Sequence, residues 1–270
     1  MSSVPRTEDG QALLDRLRAD PERAAILTDV DGTLAPIAAR PQEAVVPAAA
    51  TAALEALRER YALIGCVSGR RALEARRLVG VQGISYAGNH GLELLLPGEE
   101  EPRLDPTLEG REDEAARFAA ALDPAQLEAV GLRIEDKGPI QALHWRGAGD
   151  ERTAEARARE IAADASREDL EPRWGRKVLE LRPAGGGGKG AAIAALLAGN
   201  GIETAAYAGD DRTDLDAFRR LRELREGGEL VATVCIGVLS SEGPPELVEE
   251  SDLTVEGPEG WLEILESLAE

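Results

Sequence analysis

Residues 26–34 read Ile26-Leu27-Thr28-Asp29-Val30-Asp31-Gly32-Thr33-Leu34, an apolar run that ends in two aspartates followed by a glycine. Because side chains alternate along a strand, Asp29 and Asp31 leave it on the same side, roughly 6 to 7 Å apart. Gly32 can then turn the chain with a positive φ. Two carboxylates this close repel each other, so they need a metal cation, a shared proton or a hydrogen-bond network.

A solvated Asp-Gly turn that closes a hairpin is the alternative interpretation of the same residues. No matching return strand precedes the aspartates, and residues 33–36 are apolar or small. The pattern therefore favours a functional strand end over a surface turn.

Composition places the chain among ordinary globular proteins and limits its partners. With 270 residues, 43% hydrophobic and 30% charged, it has the length of one large domain or two ordinary ones. A net charge of −20 argues against nucleic acid and anionic membranes as partners, since both require a positive surface field. If the substrate is anionic, the few useful cations or a metal must be concentrated in one place.

The segment Met1 to Glu22 has no apolar signal region, and no stretch reaches the roughly 18 apolar residues of a membrane span. Cys66 and Cys235 lie inside apolar runs, which fits inert thiols in a reducing compartment. We expect a cytoplasmic, monomeric protein whose partner is a small molecule.

Strand-like and helix-like segments alternate in both outer parts of the chain, which predicts parallel βαβ units and an α/β fold. The middle reads differently, with helices near 111–122 and 150–166, a hairpin around Asp136-Lys137-Gly138 and a strand at 176–181. We predict a catalytic core from residues 1–105 and 184–270, and an inserted α+β domain from residues 106–183.

Polar residues stand where an open α/β sheet binds its ligand, at the carboxyl ends of strands. The segment Ser68-Gly69-Arg70 offers a hydroxyl, turn amides and a guanidinium for an anion. Lys189 follows four glycines at the start of a helix and can neutralise a phosphate or steady Asp29. The acids of residues 209–214, Asp210, Asp211 and Asp214, suit oxygen ligation of a hard cation such as Mg²⁺.

The glycine run also permits a dinucleotide-binding hypothesis, because Gly185, Gly187 and Gly190 satisfy G-x-G-x-x-G with Asp210 about 20 residues on. Against it, the preceding strand carries Val178, Glu180 and Arg182 on one side, unlike a strand buried on both faces. A P-loop is excluded by Gly190, which follows Lys189 where Ser or Thr is required.

In this order, the four segments Asp-x-Asp-Gly-Thr, Ser, Lys and Gly-Asp-Asp-x-x-x-Asp resemble the haloacid dehalogenase superfamily of phosphotransferases. That resemblance implies a Rossmann-like core with a mostly parallel sheet and a C2-type cap for substrate recognition. It implies that Asp29 is a nucleophile that forms an aspartyl phosphate, and that Asp31 is the general acid and base. The resemblance also implies that Asp29, the backbone carbonyl of Asp31, Asp210 and Asp211 hold Mg²⁺. It gives Asp214 a supporting role, and it implies that Ser68 and Lys189 bind the phosphoryl oxygens.

Three further segments resemble those of the trehalose-6-phosphate phosphatases: residues 88–93, residues 135–138 followed by 144–146, and residues 175–183. The resemblance implies Mg²⁺-dependent hydrolysis of a disaccharide phosphate. The expected substrate-binding residues are Arg70, Asn89, His90, Glu93, Lys137, His144 and Glu180, and either Arg176 or Lys177.

The chain departs from this pattern at three positions. Gly188 stands where the family usually has Asn or Asp, Trp145 stands where it usually has Tyr, and Leu215 stands where Glu is common. These departures spare the phosphoryl chemistry and leave substrate preference open. Sucrose phosphate and mannosyl- or glucosyl-3-phosphoglycerate are alternative substrates of the same chemistry. A catalytically silent module that binds a sugar phosphate is the remaining alternative.

Overall fold

A computed structural model describes residues 10–38, 40–175, 177–241 and 243–270. The chain forms two compact units. We call the residues up to Arg103 together with Gly187–Glu270 the core unit, and Leu104–Gly186 the insertion. The sequence prediction placed the insertion at residues 106–183.

The core unit is built on a twisted sheet whose strands are short and apolar. All five residues of its first strand are buried, as expected for a strand covered on both faces. The strands of the chain are β1 Ala24–Thr28, β2 Leu63–Val67, β3 Ser85–Gly88, β4 Glu93–Leu95, β5 Arg103–Leu104, β6 Arg133–Asp136, β7 Gln141–His144, β8 Leu170–Gly175, β9 Val178–Pro183, β10 Thr204–Gly209, β11 Ala232–Leu239 and β12 Leu253–Glu256.

The order of the large sheet is β12-β11-β10-β1-β2-β3-β4-β5. Strands from β12 to β3 pair in parallel, and β4 runs antiparallel to β3. The strand order reverses between β1 and β10, the point at which open α/β sheets bind ligands. The predicted α/β class with a mostly parallel sheet is confirmed.

Helices cover both faces of this sheet. The helices of the described chain, of which α4, α5 and α6 belong to the insertion, are α1 Gly10–Ala19, α2 Ala48–Arg58, α3 Ala72–Val79, α4 Glu114–Ala120, α5 Pro124–Val130, α6 Glu151–Arg167, α7 Lys189–Leu197, α8 Asp214–Glu226, α9 Glu246–Glu250 and α10 Gly257–Ala269. Along β1, Ala24 and Ile26 join the apolar cluster of α1, α2, α3 and α10. Ala25 and Leu27 join that of α7, α8 and α9. The period of two thus builds a three-layer core.

The insertion is an antiparallel sheet with the order β6-β7-β9-β8, packed against α4, α5 and α6. Leu143, Leu179 and Leu181 point from one sheet face into the apolar cluster. The residues between them, including His144 and Glu180, lie on the opposite, polar face. The predicted hairpin and charged helix are confirmed, whereas α5 and β8 were not predicted.

The glycine run lies between β9 and α7. Since β9 pairs antiparallel with β7 and β8, the run does not follow a parallel strand of a βαβ unit. The dinucleotide-binding hypothesis is therefore wrong. None of the described helices is long and apolar enough to cross a lipid bilayer.

Candidate active site

The carboxyl ends of β10, β1 and β2 lie side by side in the core sheet and carry the predicted catalytic segments. Asp29 follows β1, Ser68 follows β2 and Asp210 follows β10. The Asp29 amide donates to the Ala208 carbonyl at 2.8 Å, which joins the two strands across the point where the order reverses. Asp29 and Asp210, 181 positions apart in the chain, are thus brought to one edge.

Asp29 and Lys189 form a buried ion pair at this edge. Lys189 Nζ lies 3.1 Å from Asp29 Oδ2, and both side chains are almost fully buried. Burial raises the pKa of Asp29 well above its ordinary value, although the Lys189 charge opposes the rise. The ion pair is made through Oδ2, which leaves Oδ1 on the side available for nucleophilic attack.

Asp214 organises the site through four hydrogen bonds. Its Oδ1 accepts from Lys189 Nζ at 2.6 Å and from the Tyr207 hydroxyl at 2.5 Å. Its Oδ2 accepts from the amides of Asp210 and Asp211, at 2.9 and 2.8 Å. Since a carboxylate has about four lone-pair positions, Asp214 is fully engaged. It positions its neighbours and has no free oxygen for a ligand.

Asp210 stands against the turn after β1. Its Oδ1 accepts from the Thr33 hydroxyl at 2.9 Å. Gly32 has a φ of +93°, and a Cβ there would lie 2.1 Å from Asp210 Oδ2. The close approach requires glycine at this position. Burial, with the nearby Asp214 charge, raises the pKa of Asp210 to about 7.

The acids fit a divalent cation. Asp29, Asp210 and Asp214 each offer an oxygen within 4.8 Å of the others. Three carboxylates against the single ammonium of Lys189 leave two excess negative charges, and carboxylate oxygens are what Mg²⁺ prefers. Because Asp214 is engaged, Asp29 and Asp210 are the side chains that would hold the ion.

Asp211 belongs to the edge of this group. Its Oδ1 accepts from the Thr213 amide and hydroxyl and from the Asp214 amide, at 2.7, 2.6 and 3.2 Å. Burial raises the pKa of Asp211, but the Lys189 charge and the Thr213 hydrogen bonds outweigh burial and hold it below its ordinary value. These hydrogen bonds order the loop after β10, and the role of Asp211 as a metal ligand stays a prediction.

Arg70 pairs with two acids of the core unit. Its Nε and Nη2 donate to the two carboxylate oxygens of Asp31, both at 2.7 Å, and its Nη1 donates to Glu74 at 2.8 Å. The hydrogen bonds to Asp31 raise the pKa of Arg70. The guanidinium, expected to clamp the substrate, is therefore paired with a candidate catalytic acid. For Asp31 to hold a proton for a leaving group, this pair must open.

Asn89 and Glu93, two of the expected substrate-binding residues, contact each other inside the core unit, and their role in binding the substrate stays a prediction. Both are buried, and Asn89 Nδ2 donates to Glu93 Oε1 at 3.0 Å. Glu93 Oε2 accepts from the Ala72 amide at 2.8 Å, at the first turn of α3, where a negative charge is favourable. The hydrogen-bonded Asn89 and Glu93 thus stabilise the first turn of α3 in the core unit.

Ser68 and His90 lie beside that pair. Ser68 is buried, and its Oγ accepts from the Arg70 amide at 3.1 Å, which leaves its own proton for a ligand. His90 is half-buried and packs so closely on Gly69 that a Cβ there would lie 2.7 Å from its ring. The roles of Ser68 and His90 stay predictions.

In the insertion, Lys137 Nζ lies 2.7 Å from Glu180 Oε1, and His144 Nε2 lies 2.7 Å from Glu135 Oε2. Glu135, Ala142 and Glu180 face one another in register, so both pairs lie on the polar sheet face. Lys177 instead pairs with Glu151 of α6, on the opposite side of the sheet. Arg176, the alternative sugar-binding cation, lies outside the described residues.

Three residues that support Asp29 were not predicted. Trp261 Nε1 donates to the Thr28 hydroxyl at 3.0 Å, and that hydroxyl donates to the Asp29 carbonyl at 2.8 Å. Tyr207 reads in the sequence as one more core residue of a strand. Its hydroxyl nevertheless reaches Asp214 from inside the fold.

Fold and site together define the chain's class: it has the fold of the haloacid dehalogenase-like hydrolases. The C-terminal domain of *C. albicans* trehalose-6-phosphate phosphatase superposes with a TM-score of 0.73 at 22% identity, covering 98% of this chain and 99% of that one. A haloacid dehalogenase-like hydrolase from *Bacteroides thetaiotaomicron* superposes with a TM-score of 0.61 at 16% identity, covering 91% and 99%.

The sequence matches the trehalose-phosphatase family model over residues 27–246, and the chain belongs to that family. It is 35% identical over 209 residues to a trehalose-phosphate phosphatase of *Mycolicibacterium paratuberculosis*, covering 73% of this chain and 51% of that protein. It is 30% identical over 242 residues to a probable trehalose-phosphate phosphatase of *Arabidopsis thaliana*, covering 80% and 64%. The match thus spans about half the length of the mycobacterial relative.

The Tyr207 hydrogen bond predicts a selective kinetic defect. We expect Tyr207→Phe to lower kcat about tenfold with little change in KM, because Asp214 loses one of four donors and holds Lys189 less firmly. Steady-state kinetics on an aryl phosphate checks this. Tyr86→Phe is the matched control, since it removes a buried hydroxyl bonded to the Val81 carbonyl. A rate loss in Tyr86→Phe as large as in Tyr207→Phe would contradict the assignment.

Proposed function

We propose that the chain is a Mg²⁺-dependent phosphatase that hydrolyses trehalose 6-phosphate to trehalose and phosphate through an aspartyl phosphate on Asp29. The observation that carries the proposal is the buried Asp29, held by Lys189 through one oxygen and within 4.8 Å of Asp210. Membership of the trehalose-phosphatase family supports the choice of substrate. In this proposal the enzyme acts in the cytoplasm as a monomer in trehalose biosynthesis.

Five residues of the core unit have a task in this reaction. Asp29 Oδ1 attacks the phosphorus, and the Lys189 ammonium and the Ser68 hydroxyl bind the phosphoryl oxygens. Asp31 donates a proton to the leaving alkoxide and later takes one from water. Mg²⁺ held by Asp29 and Asp210 would supply positive charge against the charge that develops on the phosphoryl group.

We assign recognition of the sugar to the polar face of the insertion. Lys137 and Glu180 form a nearly buried ion pair, and His144 with Glu135 adds a second donor and acceptor pair. Disaccharide hydroxyls need fixed donors and acceptors of this kind. In this proposal Arg70 holds Asp31, and Asn89 and Glu93 support the start of α3 instead of contacting the substrate.

The test of the function is phosphate release from a panel of phosphates, each assayed with Mg²⁺ and with a chelator. Trehalose 6-phosphate should show the highest kcat/KM, and the chelator should abolish its hydrolysis. A higher kcat/KM for sucrose phosphate or for a glycosyl-3-phosphoglycerate would show that this phosphate, and not trehalose 6-phosphate, is the preferred substrate. Binding of trehalose 6-phosphate without any phosphate release would show that the chain is a binding module and not an enzyme.

The role of Glu180 gives a sharper prediction. Glu180→Gln should lower kcat/KM for trehalose 6-phosphate about 30-fold, about 2 kcal/mol, because a charged hydrogen-bond acceptor is lost. It should change kcat/KM for a small aryl phosphate less than about twofold, since that substrate has no sugar hydroxyls. Glu160→Gln, an exposed acid on α6, is the control. Equal losses of Glu180→Gln on both substrates would remove Glu180 from sugar recognition.

A further inference from the structure

A pocket opens on the helix side of the insertion. It has a volume of about 360 Å³, at the lower end of the range for ligand sites. Its lining includes Trp174, the cations Arg152, Arg159 and Lys177, and the acids Glu151 and Glu155, and we call it the Trp174 pocket.

The Trp174 pocket is separate from the residues assigned to the substrate. Trp174 faces Leu179 in register, so its side chain leaves the sheet on the apolar face. Glu180 pairs with Arg173 and leaves on the polar face. The sheet itself therefore stands between the Trp174 pocket and the Lys137–Glu180 pair.

An exposed, immobilised indole forms the wall of the pocket. Trp174 is 45% exposed, whereas the other two tryptophans of the chain, Trp145 and Trp261, are 4% and 0% exposed. Trp145 packs edge-to-face against Trp174, with ring centroids 6.1 Å apart and an interplanar angle of 70°. Arg159 lies 5.0 Å from the centroid of the Trp174 ring. These contacts fix the indole ring while nearly half of the Trp174 side chain stays exposed to solvent.

Fixed polar groups surround this ring. Arg159 donates to Glu155 Oε1 from Nε and Nη2, at 3.2 and 2.6 Å. Lys177 Nζ lies 2.7 Å from Glu151 Oε2, and Glu151 Oε1 accepts from the Gly147 amide at 3.0 Å. Three cations and two acids line the pocket, on a chain whose net charge is −20. Donors and acceptors are thus in place around an apolar wall, with a local excess of positive charge.

We propose that the Trp174 pocket binds a saccharide. A sugar ring has a face of C–H groups that packs on an indole, and a rim of hydroxyls that donate to carboxylates and accept from guanidinium and ammonium groups. The pocket supplies both kinds of surface, and its positive balance disfavours cationic ligands. This site binds without any covalent step and does not depend on the phosphatase reaction.

The experiment is a titration of the whole chain, followed through the indole Nε1–H resonances of its three tryptophans. The probes are trehalose, maltose and maltotetraose, up to about 50 mM, since weak sugar sites have millimolar Kd. We expect at least one probe to shift the Trp145 and Trp174 resonances saturably. The Trp261 resonance reports on the core unit, because its Nε1–H is hydrogen-bonded to Thr28 beside Asp29, so shifts confined to Trp145 and Trp174 locate binding in the insertion. A preference for maltotetraose would identify a glycan chain as the ligand, and equal shifts would identify a free sugar.

Two variants complete the test. Trp174→Ala should weaken binding at least about tenfold and leave hydrolysis of an aryl phosphate unchanged. Glu155→Gln, which keeps the tryptophans, should also weaken binding and remains informative if Trp174→Ala fails to fold. The proposal is overturned if no probe shifts Trp174 saturably, or if Glu155→Gln and folded Trp174→Ala bind as tightly as the wild type. None of these outcomes depends on whether the chain hydrolyses trehalose 6-phosphate.

Discussion

Replacing Asp29 with asparagine is expected to lower kcat by at least about 10⁴-fold on every phosphate ester. The amide keeps the shape of the side chain but cannot attack phosphorus, and it removes one of the two side chains assigned to the metal. Burial already disfavours the charged form of Asp29 and raises its pKa. The neutral amide should therefore be accommodated without loss of the fold.

The measurement is phosphate release by highly pure enzyme, with circular dichroism as the test of folding. Asp216→Asn is the matched control, because Asp216 pairs with Arg219 on the exposed side of α8. It should retain wild-type kcat. Wild-type turnover by folded Asp29→Asn would remove Asp29 from the nucleophile role.

The second large effect is expected from Lys189→Met. Lys189 is almost fully buried and lies 2.6 Å from Asp214 and 3.1 Å from Asp29. Burial alone would lower the pKa of Lys189, but these carboxylates hold it well above its ordinary value. Removing one partner of a buried ion pair leaves uncompensated charge. We expect a loss of about 3–5 kcal/mol in the free energy of unfolding at neutral pH, together with loss of activity.

The loss should depend on pH in a defined direction. The pKa values of Asp29, Asp210 and Asp214 are raised in the folded state, that of Asp210 to about 7. A carboxyl group whose folded pKa exceeds its unfolded value favours folding at low pH, and this contribution is lost as the pH rises through the folded pKa. Without the Lys189 charge, the pKa values of these carboxyl groups should rise further. The loss of unfolding free energy in Lys189→Met should therefore shrink as the pH falls from about 7 toward 4.

Urea unfolding in the presence of a chelator checks both points. Lys177→Met is the matched control, since Lys177 pairs with Glu151 in a partly exposed position and should cost no more than about 1 kcal/mol. A Lys189→Met deficit no larger than this, or one that is the same at pH 7 and pH 4, would refute the account of the buried cluster.

The sequence predicted those features that depend on local pattern. Apolar runs of five residues gave β1 and β2, and the alternation with helices predicted parallel pairing. Parallel pairing places strand ends at one edge, so Asp29, Ser68 and Asp210 were expected near one another. The sequence did not reveal β8, whose residues Glu171, Pro172 and Arg173 carry no strand pattern and lie at a sheet edge.

What could not be predicted depends on contacts between distant residues. Glu93 reads as a polar residue available to a ligand, but an amide 21 residues earlier in the chain makes it a buried helix cap. The sequence indicates that Arg70 can bind an anion, but in the fold its guanidinium pairs with Asp31, a residue 39 positions earlier. The motif predicted only a supporting role for Asp214, and the four hydrogen bonds that it accepts show which groups it supports.

The most direct test is chemical trapping of the phosphoryl enzyme. The chain is mixed with trehalose 6-phosphate and Mg²⁺, quenched in acid and reduced with borohydride, which converts an aspartyl phosphate to homoserine. Peptide mass spectrometry then locates the product. The account predicts homoserine at position 29 in the wild type and none in Asp29→Asn. Steady turnover with no trapped product at Asp29, or with a product at another acid, would contradict it.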